Sequence, residues 1–320
     1  MKKPIVFMYS GQGAQYFHMG RELYENVPVF RTCFDRASDV VEPLVGASLS
    51  ELVYRESAKK FDPFEQTRYT HPANVIFSLA LTETLMDRGI QPDMLLGYSL
   101  GEYTACLVAQ ALALPSGLEN IVRQALMLEA KAPQGGMMAI LENPRIMHSD
   151  HDLFRDCWLA ARNFDQHFVV TARPDALKSL ESELQKKRIT CQILPVSHGF
   201  HSPLVDPIES DCITLFNDFA EPEIPIISTC TAAELEIPDG RHIWSVIRSP
   251  VRFLETVRAM EGESSYVYID VGPAGTLSTF LRYILGPESN STALVTVNQF
   301  GKDLASLQKL EDALGRERLR

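Results

Sequence analysis

The chain has little of what would take it out of the ordinary globular class. It holds two tryptophans and six cysteines in 320 residues. The cysteines (Cys33, Cys106, Cys157, Cys191, Cys212, Cys230) are scattered, and none forms a CxxC pair. That excludes zinc ribbons and thioredoxin-like motifs, and it suits a reducing, cytoplasmic setting better than a disulfide scaffold. No apolar run reaches the roughly 18 residues of a membrane span; the longest lie around Ala73–Ala80 and Ala105–Pro115. The start is basic and then apolar, like a secretion signal. Its apolar stretch runs straight into Ser10-Gly11-Gln12-Gly13, so it reads as a first strand. Gly11-Gln12-Gly13 has neither a third glycine nor a following Gly-Lys-Ser/Thr, which excludes a phosphate loop. Positive charge is also scarce: 30 Lys and Arg against 41 Asp and Glu give a net charge of −11. A nonspecific nucleic-acid binder is excluded on that balance. No metal or nucleotide motif is present, and neither a nucleic acid nor a membrane is expected as a partner.

What the chain does have is a large apolar fraction, 45%, with 22% charged residues, enough for a substantial core without disulfide staples. Pro4–Tyr9 and Met94–Leu96 read as buried strands, and Ala73–Arg88 and Ser116–Lys131 as helices. A helical pattern also follows Gly101 through Leu112. A loop signal at Ala132-Pro133-Gln134-Gly135-Gly136 opens a different pattern. Strands are predicted at Met137–Leu141, Leu159–Asn163, His167–Thr171 and Ile189–Pro195, with a helical turn at Asp152–Trp158 and a helix at Asp175–Lys187. That βαββαβ order predicts a ferredoxin-like insertion over residues 132–198. Residues 1–131 and 199–320 then form one catalytic body. Strand-like Ile224–Ser228, Tyr266–Val271 and Ala293–Val297 alternate there with helical Pro250–Met260 and Thr276–Leu285, which predicts an α/β fold with a mainly parallel sheet. The charged tail Asp312–Arg320 is expected to fray.

Gly97-Tyr98-Ser99-Leu100-Gly101 matches GxSxG between an apolar strand and an amphipathic helix. A nucleophilic serine on a strand-to-helix turn needs small flanking residues for the turn to close, and the next helix aims its N-terminal N–H groups at the site. Such a serine needs a base. Of the eight histidines, His18, His71, His148, His151, His167 and His242 read as surface or satisfied core residues. Val196-Ser197-His198-Gly199-Phe200-His201-Ser202-Pro203-Leu204 differs, because it lies on a Gly- and Pro-bearing loop where the insertion rejoins the body. A backbone carbonyl can orient an imidazole in place of a carboxylate, since it too accepts the Nδ1–H bond.

Gly11-Gln12-Gly13-Ala14-Gln15, Gly97-Tyr98-Ser99-Leu100-Gly101-Glu102-Tyr103 and Gly199-Phe200-His201-Ser202-Pro203-Leu204 occur together, with Pro250-Val251-Arg252-Phe253 and Asp270-Val271-Gly272-Pro273 after them. In that order the chain resembles the malonyl-CoA:acyl-carrier-protein transacylases over nearly its whole length. The resemblance implies an α/β-hydrolase-like body with a ferredoxin-like insertion. It implies Ser99 as the acylated nucleophile and His201 as its base. The backbone N–H groups of Gln12 and Leu100 would form the oxyanion hole, and the carbonyl of Arg252 would orient His201. Gln124, Phe200 and Tyr98 would meet the substrate. No bound cofactor is implied, because phosphopantetheine arrives on the partner, an acyl carrier protein bearing an acyl thioester.

Two residues depart from the family pattern. Tyr98 stands where His usually precedes the nucleophile. Gln124 falls where family members carry the Arg that clamps the malonyl carboxylate, and Arg123 is one helical step, about 100°, away from it. The missing clamp, with Phe7–Tyr16 and Cys191–Ser197, makes the chain most similar to the stand-alone acyl hydrolases of polyketide assembly lines whose acyltransferases act in trans. The expectation is therefore an acyl hydrolase that clears stalled acyl groups from carrier proteins. A malonyl transacylase using Arg123 is the rival, favoured by Phe200 beside His201. A noncatalytic carrier-docking module is the third reading, opposed by the presence of both Ser99 and His201. Arg68 and Lys186-Lys187-Arg188 are the candidate basic patches for an acidic carrier.

Overall fold

The computed structural model describes residues 3–318. Strand β1 (Ile5–Tyr9) leads to α1 (Arg21–Asn26), α2 (Pro28–Val45), α3 (Leu49–Val53) and the long α4 (Thr67–Asp87). Next come β2 (Met94–Gly97), α5 (Gly101–Val108) and α6 (Leu114–Lys131). A second unit follows, made of β3 (Gly136–Ile140), α7 (Ile146–Ser149), β4 (Cys157–Phe164), β5 (His167–Ala172), α8 (Pro174–Lys186) and β6 (Cys191–Ile193). A 3₁₀ turn at Pro203–Ile208 runs into α9 (Glu209–Leu215), β7 (Ile226–Ser228), β8 (Ala233–Leu235), α10 (Gly240–Arg248) and α11 (Phe253–Glu263). The chain ends with β9 (Val267–Asp270), α12 (Thr276–Ile284), β10 (Thr292–Val295) and α13 (Asp303–Arg318).

The larger sheet has the order β10-β9-β1-β2-β7-β8 and is parallel except for β8. All five residues of β1 are buried, as a strand covered by helices on both faces requires. Tyr9 pairs with Gly97, so β1 and β2 end side by side and deliver the segments after Tyr9 and after Gly97 to one place. The carboxyl ends of adjacent parallel strands are where open α/β sheets bind ligands.

The smaller sheet, β4-β5-β3-β6, is antiparallel. It has its own core, in which Met138, Ile140, Phe168 and Val170 pack against Leu177, Leu180 and Leu184 of α8. Its edge strand is stitched to the larger body: Arg162 N donates to Val251 O at 3.0 Å, and Val251 N donates to Ala160 O at 2.8 Å.

After Gly13, α2 is an amphipathic helix that buries Phe30, Phe34, Ala37, Val41 and Val45 on one face. Two expectations are corrected. The helical turn expected at Asp152–Trp158 ends early, because Cys157 and Trp158 pair with Ala172 and Thr171 in the sheet, and the regular helix there is α7 before it. The tail does not fray at Asp312: α13 continues to Arg318 with Leu310 and Leu314 buried, and residues 319 and 320 lie outside the described part. Replacing Phe168 with Ala empties the centre of the small core and should cost about 3–5 kcal/mol, read as a lowered urea midpoint.

Candidate active site

The turn after β2 is strained by design. Ser99 has φ 53°, in the left-handed region that a side chain disfavours. Two close approaches explain how the turn closes. A Cβ on Gly101 would lie 1.9 Å from the carbonyl oxygen of Tyr9, and one on Gly97 would lie 2.5 Å from Cα of Glu102. Only glycine fits either position. Ser99 thus projects its hydroxyl at the head of α5, the positive end of the helix dipole.

His201 meets it there, with Nε2 2.8 Å from Ser99 Oγ. His201 is itself at φ 59°, and its N–H donates to Ile247 O at 2.8 Å. Its Nδ1 lies 2.8 Å from the carbonyl oxygen of Ser249. A carbonyl can only accept, so Nδ1 carries the hydrogen and Nε2 presents a lone pair to the Ser99 hydroxyl. The expected orienting carbonyl, Arg252, is a correction. Arg252 caps α11, and its oxygen is taken by Thr256 N at 2.9 Å and Thr256 Oγ1 at 2.8 Å. Ser249, at the end of α10, does the orienting instead. Burial pushes the imidazole of His201 down to about 4, with the Ser249 hydrogen bond opposing the shift. The ring is therefore neutral at physiological pH and free to accept a proton.

Among the described residues, the backbone N–H groups of Gln12 and Leu100 donate to no other protein group, and both residues line the cavity that holds Ser99 and His201. The Gln12 side chain is tied down, its amide donating to Thr70 Oγ1 and its oxygen accepting from Asn74 at 3.4 Å. That leaves the backbone as the part of Gln12 available to a ligand.

The cavity is small, about 40 Å³, and its apolar wall is Met137, Val169, Leu194, Phe200 and Ile247. It shares Gln12, Tyr98, Val169 and Leu194 with a larger cleft of about 400 Å³ running between the two sheets. Tyr98 bridges the two units: its hydroxyl donates to Asn163 Oδ1 at 2.8 Å, and Asn163 Nδ2 donates to His167 Nδ1 at 3.0 Å. Phe200 lies against His71 with ring centroids 5.4 Å apart. No Lys or Arg lines the cavity or the cleft among the described residues. The two histidines that line them besides His201 are neutral as well, since burial pushes His71 down to about 3 and His167 to about 4.

Residues 6–316 match the family model of the acyl transferase domain. The chain belongs to the acyl transferase domain family. The polyketide biosynthesis acyltransferase homolog PksD of Bacillus subtilis is 35% identical over 97% of this chain and 97% of its own length. The homolog BaeD of Bacillus velezensis is 35% identical over 98% of both chains. Among solved structures, the MCAT of Streptococcus pneumoniae superposes with a TM-score of 0.78 at 28% identity, covering 97% of this chain and 99% of that one. The acyltransferase domain of SpnD, in complex with 2-(pent-4-yn-1-yl)malonyl, superposes at 0.86 and 26% identity, covering 99% and 76%.

In this member of the family, Gln124 does not reach the cavity. It is fully buried, donates to the Tyr103 hydroxyl and to Cys212 Sγ at 3.2 Å, and its Oε1 has no partner. The expected contact between Gln124 and substrate is thus absent, because the short amide is absorbed between α5 and α9. Arg123 points to solvent and pairs with Glu119 at 3.2 Å. Three residues of the two expected basic patches are in ion pairs. Arg68 pairs with Glu129 at 2.7 Å, and Lys186 and Lys187 pair with Glu183 at 2.6 Å and Asp150 at 2.9 Å. A base that sequence reasoning missed stands by the cleft: Lys60 Nζ lies 4.6 Å from the ring centre of Tyr16 and 5.7 Å from that of Phe61, and both aromatics line the cleft. Asn163 and His167 were missed as well, and only their place on the sheet edge facing the elbow could have revealed them.

Because His201 must be neutral to take a proton, labelling of Ser99 by a fluorophosphonate should rise with pH through about 4 and level off above about 6. A profile still rising through neutrality would contradict the geometry.

Proposed function

We propose that the chain is a serine acyl hydrolase that releases uncharged acyl groups from the acyl carrier proteins of a polyketide assembly line. The observation that carries this reading is the absence of any cation at the acyl end: neither Lys nor Arg lines the cavity, and the histidines there are neutral. A charge-assisted hydrogen bond is worth about 1.5–3 kcal/mol, so its loss weakens malonyl recognition by roughly tenfold to a hundredfold. A carboxylate desolvated there without a partner costs several kcal/mol more. The cavity volume, about 40 Å³, is only a few times the roughly 10–15 Å³ that a single water needs. It suits a short acyl tail held by Met137, Val169 and Phe200.

The steps follow from the dyad. Ser99 Oγ attacks the thioester carbonyl as its proton passes to His201 Nε2, and the N–H groups of Gln12 and Leu100 hold the oxyanion. The tetrahedral intermediate collapses, the C–S bond breaks, and His201 returns the proton to the carrier's thiol. Water then enters, His201 takes its proton, and the hydroxide attacks the acyl-Ser99 ester. The second oxyanion collapses, the acyl C–Oγ bond breaks, and His201 returns the proton to Ser99 Oγ, leaving a carboxylic acid and the free enzyme. The carrier's thioester arm occupies the cleft between the sheets, and Lys60 near it offers a positive charge to an acidic carrier surface.

The test offers acetyl- or butyryl-carrier protein and malonyl-CoA side by side. Acid release from the neutral thioesters is expected, with Ser99→Ala inactive and malonyl transfer negligible. Fast malonyl transfer with no hydrolysis of the neutral thioesters would make the chain a loading enzyme.

A further inference from the structure

Glu102 is the third residue after Ser99 and is fully buried in the first turn of α5. A buried carboxylate needs several donors, and this one has them. Its Oε1 accepts from Cys230 N at 3.0 Å and lies 3.2 Å from Thr229 Oγ1, which donates to Gly97 O at 2.8 Å. Its Oε2 lies 2.9 Å from His242 Nε2. A carboxylate only accepts, so His242 Nε2 carries the hydrogen that joins them.

His242 opens α10, and the end of the same short helix holds the base. Ile247 O accepts from His201 N at 2.8 Å, and Ser249 O faces His201 Nδ1 at 2.8 Å. One rigid element therefore grips the nucleophile's helix with a side chain and the base with two carbonyls. The nucleophile and its base come from distant parts of the chain, and no carboxylate touches His201 among the described residues. We propose that His242 and Glu102 are positioning residues: their contact sets α10 against α5 and so fixes the 2.8 Å approach of His201 to Ser99. Neither touches substrate. The inference rests on the Ser99–His201 dyad but not on the choice between hydrolysis and transfer.

The test is the kinetics of Ser99 labelling by a fluorophosphonate, which needs no acyl substrate. Wild type that does not label would sink the dyad itself. With wild type labelling, His242→Ala should lower the maximal labelling rate at least tenfold while the half-saturating probe concentration stays within twofold. His242→Gln, which can place an N–H against Glu102, should recover to within threefold of wild type. A structural defect alone would not separate Ala from Gln in this way. If His242→Ala does not fold, Glu102→Gln, which turns a donor toward His242, should label at least threefold slower. Wild-type rates in His242→Ala or Glu102→Gln, equal slowing in the Ala and Gln variants, or a change confined to probe affinity would overturn the proposal.

Discussion

The structure depends on one short contact, the 2.8 Å approach of Ser99 Oγ to His201 Nε2. Two strained residues make it. Both are non-glycine residues in left-handed backbone, φ 53° and 59°, and each such residue costs of order 1–3 kcal/mol. The strain is held in place by packing. Gly97 and Gly101 let the elbow collapse onto Tyr9 and Glu102, and two carbonyls on the end of α10 fix the histidine. The small sheet contributes to the same arrangement, because β4 clamps Val251 from both sides, two residues from the Ser249 carbonyl. The insertion is thereby part of the support of the base as well as one wall of the cleft.

Charge is the second constraint. The wall of the site around the dyad is largely apolar and, among the described residues, without a lysine or arginine, and burial keeps its imidazoles neutral. This gives His201 the lone pair a base requires and leaves a carboxylate-bearing acyl group with nothing to pair with. The molecule's positive charge is spent on surface pairs such as Arg68–Glu129 and Arg123–Glu119, which are worth little to stability. Among the bases considered, Lys60 is the one that lies over aromatics lining the cleft.

Much of this was legible from residue order. The parallel sheet and the two glycines of the elbow announce themselves through local sequence, because a central strand must be apolar throughout and a strained turn must be flanked by residues without side chains. Ser99 was legible for the same reason, whereas His201, which shares its loop with His198, was legible only through the family resemblance. The rest depends on tertiary contacts that no spacing encodes. Which carbonyl turns His201 is decided by where α10 stops and α11 begins, so Arg252, already committed to Thr256, yields to Ser249. Gln124 falls at the expected helical position, yet its amide is drawn to Tyr103 and Cys212 across two other helices. His242 reads as a bland histidine until the fold sets it against Glu102.

The central claim is that the acyl end of the site is neutral and selects neutral cargo. Rapid-quench intact-mass analysis of the protein mixed with equal acetyl- and malonyl-carrier thioesters reads that selection on Ser99 directly. The account expects the acetyl adduct to dominate at the earliest time points and then decay to free enzyme without transfer. A dominant malonyl adduct on Ser99 that persists until a carrier thiol is added would contradict it.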